Sequence, residues 1–248
     1  MRLNENILKH KKAILFDLDG TILDDSNIWD EIYAEFVRQE CKVKVTTEQI
    51  LEDWHEHLEK FKGTDFYKSY VIYLVKKYDS KTLDFDADNL RKKLYVIADK
   101  YVCEKVKYKN FAPEVIKKLK DLNYLLGIGS ISDKETFNKY NYLNKNISEK
   151  MNMFEYFDEI LLYDDVQNKK PNPEVYLKLM EKLKVRPEEC LVIEDSLSGV
   201  QAAKNAKLEV VNIPDIGSLK NQDEIDKITD YKLNDMKEFW ELIKDLNY

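Results

Sequence analysis

The chain of 248 residues sets 40 Lys and Arg against 47 Asp and Glu, a formal charge of −7, which disfavours nucleic-acid binding through a broad basic face. Hydrophobic residues make up 44% and charged residues 35%, enough apolar side chains to bury a sizeable core and too many for a disordered chain. No apolar run nears the roughly 18 residues of a membrane helix, so no membrane partner is expected and the cytoplasm is the expected location.

The first apolar run, AILFDL at 13–18, breaks into Asp-Gly and reads as a buried strand ending in a loop. From Ile22 to about Tyr108 the spacing changes: Ile28, Ile32 and Phe36, then Tyr70, Leu74 and Tyr78, then Leu90, Leu94 and Ile97 recur at three and four residues. That period predicts an all-helical insertion over 22–108, flanked by an α/β core over 1–21 and 109–248. Beyond it, further strands are expected at YLLGIG (124–129), DEILL (158–162), CLVIED (190–195) and LEVVNI (208–213). Helical patterns at 113–122, 173–183 and 198–206 separate these runs, and a last helix is expected over 234–246. Strand and helix in alternation predict a parallel, doubly wound, Rossmann-like sheet.

Nucleophiles activated by histidine have little support. The only histidines are His10, His55 and His57, and the three cysteines, Cys41, Cys103 and Cys190, form no CxxC pair and no disulfide framework. Carboxylates are left to do the chemistry. Asp17 and Asp19, in DLDGT, stand two apart at the end of the first strand, where open parallel sheets place their ligands. In extended backbone both side chains point to one side. Glu194-Asp195 adds two more acids at the end of a later strand. Four carboxylates meeting one lysine call for a divalent cation, and oxygen-only ligation suits Mg²⁺. Ser130, ending the second strand, and Lys170, in KKPNP after the third, supply a hydroxyl and an ammonium for a tetrahedral oxyanion. A phosphate ester is the expected substrate.

Taken in order, Asp at the first strand end, Ser at the second, Lys-Pro after the third and Glu-Asp at the fourth resemble the haloacid dehalogenase-like hydrolase superfamily. The helical insertion resembles its type-1 cap, and PNPEVY and SGVQAAKNA extend the likeness. The resemblance implies that Asp17 is the nucleophile, that Asp19 is the general acid–base, and that Ser130 and Lys170 hold the transferring phosphoryl group. Thr21 and the Ile131 amide are implied as lesser contacts. Mg²⁺ is implied on the side chains of Asp17 and Asp195 and the main-chain carbonyl of Asp19, with Glu194 ligating directly or orienting the shell. The family's metal-free dehalogenases lack the second aspartate of the first motif, so Asp19 directs the expectation to phosphoryl transfer. A short substrate-facing cap loop is expected at Lys62, Gly63 and Thr64, around the only glycine between residues 21 and 126.

The sequence departs from the family pattern in places. The histidine that often follows Asp-Ser or Asp-Thr a few residues after the first motif is absent from Asp24-Asp25-Ser26-Asn27-Ile28-Trp29, and Trp29 stands where the β-phosphoglucomutase branch carries a histidine. The expected activity is Mg²⁺-dependent hydrolysis of a small phosphorylated metabolite through an aspartyl-phosphate. A β-phosphoglucomutase-like phosphotransferase is the alternative. A receiver-like phospho-acceptor shares the acids, hydroxyl and lysine but places its acid pair before its acceptor, the reverse of the order here. Oligomeric state stays open.

Overall fold

The computed structural model describes residues 3–25, 28–61, 66–79 and 86–247. In chain order these form α1 (Glu5–Lys9), β1 (Ala13–Phe16), β2 (Leu23–Asp24), α2 (Ile28–Cys41), α3 (Thr47–Lys60), α4 (Phe66–Tyr78), α5 (Ala87–Glu104) and β3 (Lys107–Tyr108). There follow α6 (Ala112–Asp121), β4 (Leu125–Gly129), α7 (Lys134–Asn138), a π-helical turn (Lys139–Leu143), α8 (Lys145–Ser148), α9 (Met153–Tyr156) and β5 (Glu159–Leu161). The remainder is α10 (Glu174–Leu183), β6 (Cys190–Glu194), α11 (Leu197–Asn205), β7 (Glu209–Asn212), α12 (Gln222–Ile228), β8 (Tyr231–Lys232) and α13 (Met236–Ile243).

The six-stranded sheet has the order β5-β4-β1-β6-β7-β8 and is parallel throughout. The chain lays strands outward from β1 on one side, then crosses to β6 and builds the other side. β1 is therefore central, and its AILF run is buried at every residue, as a strand covered on both faces requires. Ala13 and Leu15 join Tyr176, Leu179 and Leu183 of α10 and Val200 and Ala203 of α11 in one core cluster. The register sets Phe16 beside Ile128 of β4 and Ile193 of β6. The residues just beyond these three strand ends thus emerge together.

The expected doubly wound parallel α/β sheet is observed, with two additions. β8 contributes a sixth strand, and Leu23–Asp24 pairs antiparallel with Lys107–Tyr108 inside the stretch expected to be all helical. Each of the three added strands is two residues long, too short for periodicity to reveal. The β2–β3 pair joins the segments through which the chain leaves and re-enters the α/β unit. The compact units are accordingly 1–26 with 106–248, and 27–105, a few residues inside the expected boundaries of 22 and 108.

The unit 27–105 contains α2 to α5. Tyr33 and Trp54 meet Tyr70 edge-on, with ring centroids 4.9 and 5.0 Å away, and the Tyr70 hydroxyl donates to the Ile50 carbonyl at 2.8 Å. Trp29 packs beside Tyr33 with its ring centroid 6.3 Å off and stays partly exposed. Lys62, Gly63 and Thr64 lie outside the described residues. No helix among the described residues is long and apolar enough to cross a membrane.

Candidate active site

Asp17 follows β1 directly, and its amide donates to the Ile193 carbonyl at 3.0 Å, continuing the ladder for one residue. Its carboxylate is buried and accepts from Lys170 Nζ at 2.6 Å. Burial raises its pKa well above the usual carboxylate range against the pull of Lys170, and Glu194, Asp195 and Asp19 add to the rise.

Asp19 leaves the strand in a tight loop whose next residue, Gly20, has φ +80°. A Cβ there would sit 2.6 Å from Asp195 Oδ2, so glycine is required both by backbone angle and by the approach of the acid. The Gly20 amide donates to Leu23 O at 3.0 Å and to Asp25 Oδ1 at 2.9 Å. Asp19 Oδ2 accepts from Ser130 Oγ at 3.0 Å and from Ser132 Oγ at 2.6 Å. Its Oδ1 is buried without a hydrogen-bond partner among the described residues.

Lys170 sits in the loop between β5 and α10, and that loop is held from both sides. The Glu174 carboxylate, in the first turn of α10, accepts from the amides of Gln167 and Asn168 at 2.9 and 2.8 Å and from Asn168 Nδ2 at 2.9 Å. Lys178 and those two amides pull the Glu174 pKa down to about 2. Lys169 Nζ donates to the carbonyls of Tyr163 and Val166. The Lys170 ammonium, 3% exposed, then reaches Glu194 Oε1 as well as Asp17, again at 2.6 Å.

Glu194 ends β6 and is fully buried. Its Oε1 also accepts from the Tyr176 hydroxyl at 3.0 Å. Its Oε2 accepts from the amides of Asp195 and Ser196 and from Ser196 Oγ at 3.0 to 3.1 Å. A Cβ on Gly199 would fall 1.6 Å from Oε1, so the first turn of α11 admits only glycine there. Asp195 accepts from Thr21 Oγ1 at 2.9 Å and from Ser218 Oγ at 3.1 Å. Burial and then the neighbouring Glu194 push its pKa up to about 7.

The structure therefore brings Asp17, Asp19, Ser130, Lys170, Glu194, Asp195 and Thr21 to one end of the sheet. The Thr21 hydroxyl is turned to Asp195, and the side chain of Ile131 is half exposed. Five residues of this shell were not singled out from the sequence: Asp25, Ser132, Tyr140, Tyr176 and Ser218. Asp25 is buried and its pKa is raised well above normal by burial and by Asp19. Tyr140, in the π-helical turn, is buried and its hydroxyl's pKa is raised by burial and by Asp19 and Asp25. The second serine of GSIS was the one available signal, since alternate residues of an extended segment share a side.

One ligand atom from each of Asp17, Glu194 and Asp195 can be chosen so that all lie within 4.8 Å of one another. Hard oxygen donors and an excess of buried acids over Lys170 fit a small divalent cation such as Mg²⁺. Glu194 is the least available of the three, because its two oxygens together accept five hydrogen bonds, against one on each oxygen of Asp195.

The family described as haloacid dehalogenase-like hydrolase matches residues 14–213. YhcW of Bacillus subtilis (strain 168), which carries phosphatase in its name, is 29% identical over 92% of this chain and 93% of its own. The phosphorylated carbohydrates phosphatase of Thermotoga maritima is 26% identical over 80% of this chain and 82% of its own. Among solved structures, CbbY of Rhodobacter sphaeroides in complex with phosphate superposes with a TM-score of 0.68 at 21% identity, over 92% of this chain and 96% of that one. A Thermotoga maritima structure bearing the beta-phosphoglucomutase name reaches 0.73 at 22% identity, over 95% and 100%. These two likenesses bear on the fold.

Proposed function

Because the chain belongs to the haloacid dehalogenase-like hydrolases and is a phosphatase of that family, we propose that it hydrolyses a small phosphorylated metabolite through an aspartyl-phosphate on Asp17. The observation that supports this most is the division of partners between the two carboxylates of the first loop. Asp17 is held by the Lys170 ammonium, whereas Asp19 is held by the hydroxyls of Ser130 and Ser132. One acid is paired with a cation, and the other sits among neutral hydroxyl donors.

A carboxylate oxygen of Asp17 attacks phosphorus in line, forming the acyl phosphate as the bond to the ester oxygen breaks. Asp19 gives the departing alkoxide its proton. In the second step Asp19 takes a proton from water, the resulting hydroxide attacks the same phosphorus, and inorganic phosphate leaves with Asp17 restored as a carboxylate. Lys170 and Ser130 are assigned to the oxygens of the transferring phosphoryl group, with the Ile131 amide beside them. Thr21 is assigned to holding Asp195. Asp17, Asp195 and the main-chain carbonyl of Asp19 would hold Mg²⁺, with Glu194 orienting the shell. Bound there, Mg²⁺ would offset the negative charge gathered on the phosphoryl oxygens. Selection among phosphorylated metabolites is assigned to the helical unit 27–105.

A panel of phosphomonoesters, assayed for phosphate release with Mg²⁺, tests the reading. Turnover is expected on several members and is expected to vanish in Asp17→Asn, whose amide does not attack phosphorus. Wild-type-like turnover by folded Asp17→Asn would refute the covalent route.

A further inference from the structure

Tyr176 carries a hydroxyl that its place in the core does not require. The residue is fully buried, in the same cluster as Leu15, Leu179 and Val192, where a phenylalanine would fill the same space. Burying a phenol oxygen costs free energy unless it finds a partner. The hydroxyl finds Glu194 Oε1 at 3.0 Å, and the Lys170 ammonium stands 5.1 Å from the centroid of the same ring. Glu194 Oε1 thus accepts from Tyr176 and Lys170 together, while Oε2 is committed to Asp195 N, Ser196 N and Ser196 Oγ. Gly199 closes the remaining space, since any Cβ there would overlap the carboxylate. Only a carboxylate held in this rotamer presents Oε1 to an ammonium that must also reach Asp17.

We propose that Tyr176 is a positioning residue for the hydrolytic site: its hydroxyl fixes Glu194 Oε1 and its ring flanks the ammonium, so that Lys170 is aimed at Asp17. The inference rests on the roles of Asp17 and Lys170 given above, but the placement of Lys170 can be read without turnover. No feature of the sequence marks Tyr176, which reads simply as an apolar position of a helix.

The test uses the full chain carrying Tyr176→Phe, which removes one oxygen and leaves the packing. Buried lysine ammonium groups give resolvable proton–nitrogen NMR signals, and that of Lys170 is assigned by its loss in Lys170→Arg. In Tyr176→Phe the signal is expected to shift or broaden while the thermal midpoint stays close to wild type. With p-nitrophenyl phosphate and Mg²⁺, kcat is expected to fall about tenfold with KM little changed, the scale of one buried hydrogen bond to a charged group. In a Glu194→Gln background the same substitution is expected to add less than about twofold, because its route through Glu194 is already broken. An unmoved Lys170 signal, a kcat within about twofold of wild type, or an undiminished loss in the Glu194→Gln background would each overturn the proposal. If the wild type releases no phosphate from the probe or the panel, the hydrolase reading falls, and the ammonium signal alone decides the role of Tyr176.

Discussion

Lys170 Nζ stands 2.6 Å from Asp17 Oδ1 and is buried with it. A buried ion pair is strongly unbalanced by loss of one partner, typically by ~3–5 kcal/mol, because the remaining charge loses its compensation without regaining water. Here the loss would strand two carboxylates, since Glu194 shares the same ammonium. Lys170→Met is therefore expected to abolish turnover and to lower the urea midpoint of the metal-free protein markedly. Adding Asp17→Asn to it is expected to recover part of the stability and none of the activity. A single variant as stable as wild type would show that the pair is not compensated as argued.

Gly199→Ala is expected to be more damaging than an exposed helical Gly→Ala change, which usually stabilises a helix. The added Cβ displaces the Glu194 carboxylate, which accepts both from Lys170 and from the hydroxyl of Ser196, the residue whose Oγ caps α11 by accepting from the Gly199 amide. Activity and thermal midpoint should fall together. Normal kcat in a stabilised variant would contradict the packing.

That glycine illustrates how much of the site the sequence disclosed. Asp17, Asp19, Ser130, Lys170, Glu194 and Asp195 were legible because each closes an apolar run or follows one, and the sheet register carries those endings to one place. Gly199 read only as part of a helical pattern, since its constraint comes from a carboxylate five positions back that turns into the helix. Asp25 was hidden for another reason: an acid in the run Asp24-Asp25 looks solvated, and its burial depends on Gly20 turning its amide inward. Ser218 reaches Asp195 from beyond β7, a contact no local pattern encodes. The long β-strands and helices were legible through their period, whereas the two-residue β2, β3 and β8 are set by their partners.

Chelation is expected to silence the enzyme, and Mg²⁺ to raise the thermal midpoint of the chelated protein. Preferential binding to the folded state stabilises by about 2.7 kcal/mol at a hundredfold excess over Kd. Full turnover in chelator, with elemental analysis showing no metal, would exclude the cation role assigned to the acid cluster.

Glu189 connects stability to pH away from the site. Lys12 at 2.6 Å, the Arg186 amide and the Arg186 side chain pull its pKa down to about 2 from an ordinary 4.5. A depressed carboxylate stabilises the fold above its unfolded pKa, and that contribution fades as pH falls through the folded value. Glu189→Gln should therefore unfold at lower urea than wild type at pH 7. The gap should narrow between about pH 4.5 and 2 and close below. A gap independent of pH over that range would assign the effect to packing instead.

The last prediction concerns the acceptor of the phosphoryl group. A mutase must keep its aspartyl-phosphate from water until a second sugar hydroxyl arrives, and in the β-phosphoglucomutase branch a histidine at the position of Trp29 is implicated in coupling that arrival to the acid–base residue. An indole is a donor only and does not titrate near neutral pH, so Trp29 is unable to relay a proton. In this structure its ring packs beside Tyr33, and with no titrating side chain at that position the acid–base residue is expected to act on whichever hydroxyl is available. Water is the most abundant such hydroxyl. With β-glucose 1-phosphate and a trace of the bisphosphate, inorganic phosphate is expected to appear faster than glucose 6-phosphate. Trp29→His is expected to leave that order unchanged, because one imidazole does not by itself exclude water. Glucose 6-phosphate forming well ahead of free phosphate in the wild type would reverse the assignment in favour of a phosphotransferase.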